Sequence, residues 1–194
     1  MKKLLITGFD PFGGAAVNPS WLAVEQLPGR VGDFEIQKRM IPTVFGAAAE
    51  AVLEEAEKVQ LDVILCVGQA GGREAVTPER IAVNIRDARI ADNAGNQPRG
   101  EFVVPEGPAA YFATVPVEKM AEGIRQAGIP ATVSNSAGAF VCNDVLYTLL
   151  HHYHGTQTIV GFIHVPYLPE QGSPAMELER ITSALRLAIE ACDR

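Results

Sequence analysis

Three nearly unbroken apolar runs, Lys3 to Thr7, Leu61 to Val67 and Thr158 to Ile163, constrain this chain more than any other feature. A strand with one face in water alternates apolar and polar residues. A run without alternation belongs to a strand buried on both faces, as in a parallel sheet. Helical patterns separate the runs. Asn18-Pro19-Ser20 starts one, with Ser20 as N-cap and Trp21, Val24 and Leu27 on one face, and Pro28-Gly29 ends it. Thr43 caps a longer one from about Val44 to Val59, with Glu54, Glu55 and Glu57 on its solvated side. Glu118 to Ala127 is a third, ended by Gly128, and Ser173-Pro174 opens a long terminal helix whose apolar face holds Ile181, Leu185, Ala188 and Ile189. Phe34 to Ile41 reads as one more strand, at an exposed or edge position because of Lys38 and Arg39. Strand and helix in alternation predict an α/β fold, a mainly parallel sheet covered by helices on both faces. No linker or repeat divides the 194 residues, and 47% are apolar, so one domain over 1–194 can bury a sizeable core.

In such a sheet, ligands gather beyond the C-terminal ends of the strands. Gly8 to Gly14 leaves the first run as a Gly-rich loop carrying Phe9 and Phe12, which either meet a ligand or fold back onto the core. Gly68-Gln69-Ala70-Gly71-Gly72-Arg73 leaves the second; its glycines lack dinucleotide spacing, and Gln69 can both donate and accept. Ala131 to Val133 reads as a strand end, Ser134 to Gly138 as a turn, and a helix is entered near Cys142. A thiol at that entry sits near unpaired N–H groups and the positive end of the helix dipole, which favour thiolate and can also hold an oxyanion. The plainer alternative is a buried cysteine packed as a small hydrophobe. His164 ends the last run, presented at the sheet edge rather than inside the core, and Glu79 stands at the entrance of an alternating strand from Ile81 to Ile85. A thiol, an imidazole and a carboxylate are what thiol acyl transfer requires, provided that the chain ends near His164 and Cys142 converge.

Other classes of function fit poorly. The net charge of −7 repels nucleic acid and anionic membranes. No apolar run is long enough to span a bilayer, and the one after Met1 is too short for a signal peptide. Cys66, Cys142 and Cys192 are too few for a disulfide framework, which points to a reducing cytoplasm; Cys192 is inert or at most a subunit contact. His151 and His154 share a helix face, but no carboxylate or cysteine stands beside them at ligand spacing, so neither a metal nor a cofactor is expected. Arg86 to Gly107 is a polar excursion from the sheet, long enough to be functional or an oligomer contact.

The stretch Gly68-Gln69-Ala70-Gly71 with Val76-Thr77-Pro78-Glu79-Arg80-Ile81-Ala82-Val83-Asn84 resembles the glutamate signature of pyroglutamyl-peptidase I, also called pyrrolidone-carboxylate peptidase. Ser134 to Asn143 resembles that family's cysteine signature, Thr7 to Gly14 with Asn18-Pro19-Ser20 its N-terminal loop, and Ile163-His164-Val165-Pro166-Tyr167 its histidine segment. The likeness runs in order along essentially the whole chain. It implies a three-layer α/β/α cysteine peptidase that removes an N-terminal pyroglutamyl residue from peptides. It further implies Cys142 as nucleophile, His164 as general base and acid, and Glu79 as third member. On the resemblance Phe9, Phe12 and Gln69 would meet the substrate, with Arg89 near the active site; Asn18, Phe140 and backbone near Phe140 and Val141 are expected beside them. A cytosolic homo-oligomer, tetramer or dimer, is also implied. Independently of the resemblance, pyroglutamate is a neutral lactam that wants an apolar slot with a few polar partners, which Phe9, Phe12 and Phe140 with Gln69 and nearby backbone can supply. A second reading keeps the triad and changes the acyl group to another small cyclic amide.

Overall fold

β1 (Lys2–Phe9) shows why the apolar runs are unbroken. Leu4 and Ile6 join one core cluster, Leu5 and Phe9 a second on the opposite face of the sheet. β4 (Val63–Gln69) and β8 (Ile159–Val165) divide their residues in the same way: Val63, Leu65, Val67, Ile159, Ile163 and Val165 go to the first cluster, and Ile64, Cys66, Val160 and Phe162 to the second. Each strand therefore serves two cores, and neither face can be polar. The computed structural model describes residues 1–193. Its main sheet runs β2-β3-β1-β4-β8-β5, where β2 is Arg30–Val31, β3 is Phe34–Ile41 and β5 is Thr77–Pro78. The four central strands are parallel, and the two short flanking ones are antiparallel. α1 (Pro19–Gln26), α3 (Val117–Gln126) and α5 (Leu178–Ala191) close the first cluster, while α2 (Ala47–Ala56) and α4 (Val141–His152) close the second. The result is a mixed α/β sheet with helices on both faces, as expected.

Several element ends differ from the sequence reading, each for a local reason. Asn18, not Ser20, caps α1: its Oδ1 accepts from Ser20 N at 3.1 Å and from Ser20 Oγ at 2.8 Å. Pro19 at the first helical position brings the cap forward, because it lacks the N–H that is unpaired there anyway. Thr43 does not cap α2. Its N–H and hydroxyl both donate to Asp10 Oδ1 at 2.7 Å, and the helix opens later, after Gly46 at φ 75°. β2 covers only Phe34 and Glu35 of β3, so the part with Lys38 and Arg39 lies at the sheet edge as expected; Arg39 is exposed, and Lys38 turns its ammonium onto the Glu25 and Leu27 carbonyls at the end of α1. Ala131 to Val133 is too short to count as a strand, but it runs parallel beside β5 as an extended segment: Thr132 N donates to Val76 O at 3.1 Å, Ser134 N to Pro78 O at 2.9 Å, and bridges join Val76 to Ala131 and Glu79 to Ser134. The alternating strand is β6 (Ile81–Val83), which leaves the main sheet to pair with β7 (Ala110–Phe112). α5 starts at Leu178 rather than at Pro174.

The Arg86 to Gly107 excursion lies outside both sheets and is pinned by buried carboxylates. Asp92 accepts from the backbone N–H groups of Phe45, Ala94 and Asn96, and Asp144 of α4 accepts from Gly46 N at 2.9 Å and Arg86 Nε at 2.6 Å. Irregular backbone is held in place here by side chains that take over the work of a ladder.

Candidate active site

The site forms where β4, β8, the residue after β5 and the start of α4 meet. Gly68 of β4 is the register partner of His164 of β8. A Cβ on Gly68 would lie 2.9 Å from Cys142 Sγ and 2.8 Å from Phe162 Cζ. Only a glycine lets the sulfur settle onto the sheet beside the histidine. Cys142 is the second residue of α4, and the N-cap Phe140 makes no side-chain capping bond. The first N–H groups of the helix are therefore left for a ligand, the geometry that accepts an oxyanion.

His164 sits within the last two residues of β8 and is 4% exposed, so it is buried under the cavity rather than standing free at the sheet edge. Its Nδ1 lies 2.7 Å from Glu79 Oε1. Burial opposes the charge on Glu79. The hydrogen bond and charge of His164, the Ser134 hydroxyl and the Arg73 guanidinium outweigh it and hold the carboxyl below the usual range. An ionised carboxylate can only accept, so Nδ1 carries the proton and Nε2 is the basic nitrogen. Burial lowers the His164 pKa and Arg73 adds to that, against the opposing pull of Glu79, so the ring rests neutral. The Cys142 thiol departs from the sequence reading. Burial, the Glu79 charge and Cys66 push it up to about 12, despite the helix terminus.

Cys142 and His164 open onto a cavity of about 490 Å³, with Glu79 buried behind them; it is lined by Phe9, Phe12, Asn18, Thr43, Gln69, Ala70, Arg73, Ser136, Ala137, Gly138, Phe140, Cys142 and His164. Phe12 and Phe140 stand 6.2 Å apart, and Phe45 braces Phe140 edge-on at 5.3 Å. Phe9 does both things considered for it, lining the cavity and packing against Phe162 at 6.3 Å within the core. Asn18 holds the aromatic loop by donating to Asp10 O at 3.0 Å, and Gln69 Oε1 accepts from Gln171 Nε2 at 3.0 Å.

The family model described as pyroglutamyl peptidase matches residues 2–194. The chain belongs to the pyroglutamyl peptidase family. It is 48% identical over 202 residues to pyrrolidone-carboxylate peptidase 1 of Photorhabdus laumondii, covering 97% of this chain and 92% of that relative. It is 49% identical over 197 residues to the pyrrolidone-carboxylate peptidase of Yersinia pestis, with the same coverage. The crystal structure of Bacillus amyloliquefaciens pyroglutamyl peptidase I superposes with a TM-score of 0.96 at 47% identity, covering 98% of this chain and 94% of that one. A variant of the Pyrococcus furiosus pyrrolidone carboxyl peptidase superposes at 0.93 with 42% identity, covering 98% and 97%. Membership makes this chain a cysteine-type peptidase.

In this peptidase, two of the residues expected at the site stand outside the cavity lining. Arg89 is exposed, although Ile90 beside it borders a neighbouring hollow that shares Phe12 and Gln69. Val141 is fully buried in the core and can reach the site only through its backbone. The cation at the cavity is Arg73, which the sequence reading passed over; its place in a Gly-rich loop, six residues before Glu79, was the available signal. Thr43 was missed because its residue type suits a helix cap equally well. His151 turns to Tyr111, with Oη and Nδ1 2.9 Å apart. Among the described residues no cluster of three or more His, Cys, Asp or Glu could hold a metal, and no helix is long and apolar enough to cross a membrane.

Proposed function

We propose that this chain, as one peptidase domain over residues 1–194, hydrolyses the amide bond that follows an N-terminal pyroglutamyl residue, with Cys142, His164 and Glu79 as its catalytic residues. The observation that carries the proposal is the convergence of a helix-entry thiol and a Glu79-bonded imidazole on one cavity with an aromatic wall. The lactam ring packs against the wall made by Phe12 and Phe140, with Phe9 beneath it. Asn18, Gln69 and backbone near Phe140 and Val141 supply its few polar partners.

His164 Nε2 takes the thiol proton as Cys142 Sγ attacks the pyroglutamyl carbonyl carbon. The oxyanion is held by N–H groups at the start of α4. The tetrahedral adduct collapses as imidazolium Nε2–H protonates the leaving amine, which breaks the C–N bond and leaves a thioester. Water, deprotonated by Nε2, attacks the thioester carbonyl. Collapse then expels the sulfur, which regains its proton, and frees pyroglutamate. Glu79 stays ionised throughout, orienting the ring and stabilising its cation. The same reading includes self-association of copies and action in the cytoplasm, both as the family resemblance implies.

The test compares release of a fluorescent amine from its pyroglutamyl and prolyl amides, with a thiol reductant present. Proline lacks the ring carbonyl and would leave a buried donor unpaired, a loss of about 10⁴-fold or more in kcat/KM. Turnover of the pyroglutamyl amide alone is the expected result. Comparable turnover of both would remove the lactam-specific slot, and turnover of neither by folded, reduced protein would point to another cyclic amide.

A further inference from the structure

Glu79 can orient His164 only if Glu79 is itself held. A buried carboxylate beside a histidine can turn away from it or take up a proton. In this fold Glu79 is fully buried, and its backbone is fixed, since Glu79 N donates to Phe162 O at 2.9 Å and Arg80 N to Ser134 O at 2.8 Å, but these bonds leave the direction of the carboxylate to its side-chain partners.

Arg73 supplies the restraint. Its Nη1 donates to Glu79 Oε1 at 2.6 Å and to Thr77 Oγ1 at 2.5 Å, and its Nη2 donates to Ser136 O at 3.1 Å. Three segments are thus joined by one planar group: the loop after β4, the β5 edge that carries Glu79, and the turn that leads into Cys142. The oxygen that receives Arg73 is also the one bonded to His164. A carboxylate oxygen has room for both donors, and the fork geometry of guanidinium fixes their directions. Arg73 also lines the cavity, and its side chain keeps 30% of its surface exposed.

We infer that Arg73 is a positioning residue of this peptidase, whose guanidinium clamps Glu79 between Thr77 and the Ser136 carbonyl and through it holds the His164 imidazole in register with Cys142. The inference rests on the reading of Cys142, His164 and Glu79 as the catalytic residues. The charged and titratable groups that bear on His164 and its thiol partner are Glu79 after β5, Arg73 from the loop after β4, Cys142 at the start of α4 and Cys66 on β4. Glu79 favours the imidazolium, and burial and the Arg73 cation oppose it. Removing the guanidinium therefore moves the acid limb of kcat/KM upward in pH, because the base form of His164 is then lost at a higher pH.

The experiment uses Arg73→Gln, which keeps reach and hydrogen bonding but not charge, and Arg73→Lys, which keeps charge but not the fork. Profiles of kcat and KM against pH for the pyroglutamyl amide are paired with an NMR titration of the His164 ring in each protein without substrate. The expected result for Arg73→Gln is an upward displacement of both titrations, with kcat at the plateau reduced about 10-fold or more and KM changed less. Arg73→Lys keeps the wild-type titrations while its kcat falls. A titration of His164 unmoved in Arg73→Gln, or a wild-type kcat in both variants, overturns the inference. The NMR titration decides between these outcomes even where a variant is inactive, and inactivity of the wild-type protein would refute the catalytic reading instead.

Discussion

At Cys142 two influences oppose each other. The start of a helix favours an anion by about 0.3–1 kcal/mol at an exposed end. Burial and the Glu79 carboxylate raise the thiol from 9.0 to about 12, a shift worth roughly 4 kcal/mol. The second effect is larger, so the resting site holds a neutral thiol beside a neutral imidazole, and the proton moves only as sulfur attacks. The sign for activity follows. The imidazole is the base, its pKa lies below 6.5, and it loses its basic form only under more acid conditions. The kcat/KM profile should rise through a single acid limb below pH 6.5 and then level off. Thiolate absorbance, taken as the difference between wild-type and Cys142→Ala protein, should stay absent between pH 6.5 and 9.0. Thiolate absorbance at neutral pH would instead show a resting ion pair. The sequence offered Cys142, His164 and Glu79 because each sits where an α/β sheet presents ligand groups. It could not offer their charge states, because these depend on burial and on Arg73, which reaches Glu79 through folded space. The placing of Arg89 was carried by resemblance, with no physical constraint from its own neighbours.

At the scale of elements, β4 is what brings the site together, and Gly68 is the position at which it does so. Its Cβ would meet both Cys142 Sγ and Phe162 within 3 Å, and Phe162 is fully buried against Phe9 and His164, so it has no room to swing aside. Gly68→Ala should lose about 1–3 kcal/mol of stability, read by denaturant unfolding. It should also lose about 10²-fold or more in kcat, because a displacement of the sulfur disturbs the attack geometry. Wild-type kcat in that variant would show that the sulfur does not depend on the contact. The central strands and α3 were legible because their apolar periods are long. The ends of α1 and α2 were not, since Pro19 shifts one cap and Asp10 removes Thr43 from the other. The stretch from Ala131 to Val133 was legible as extended backbone from its β-branched residues, but its partner, the short β5 edge, is set by the tertiary fold.

Across the whole molecule, the parallel strands carry both cores and the short antiparallel β5 carries chemistry, since it delivers Glu79 to the side of β8 that holds His164. The excursion from Arg86 to Gly107 braces the other side. Asn93 donates to Pro11 O at 2.9 Å, and Asp92 accepts from the N–H groups of Phe45 and of its own turn, so the aromatic loop and the wall near Phe45 are tied to it. Its length and polarity were visible in the sequence, but the partners of Asp92 and Asp144 are set by the tertiary fold. Both sides meet at one sulfur. The most direct measurement is therefore the rate of amine release from the pyroglutamyl amide by wild-type protein and by folded Cys142→Ala, in reductant and at the same concentration. The predicted result is turnover by the wild type and a loss on the order of 10⁴-fold or more in the variant. Full turnover by Cys142→Ala would contradict the account.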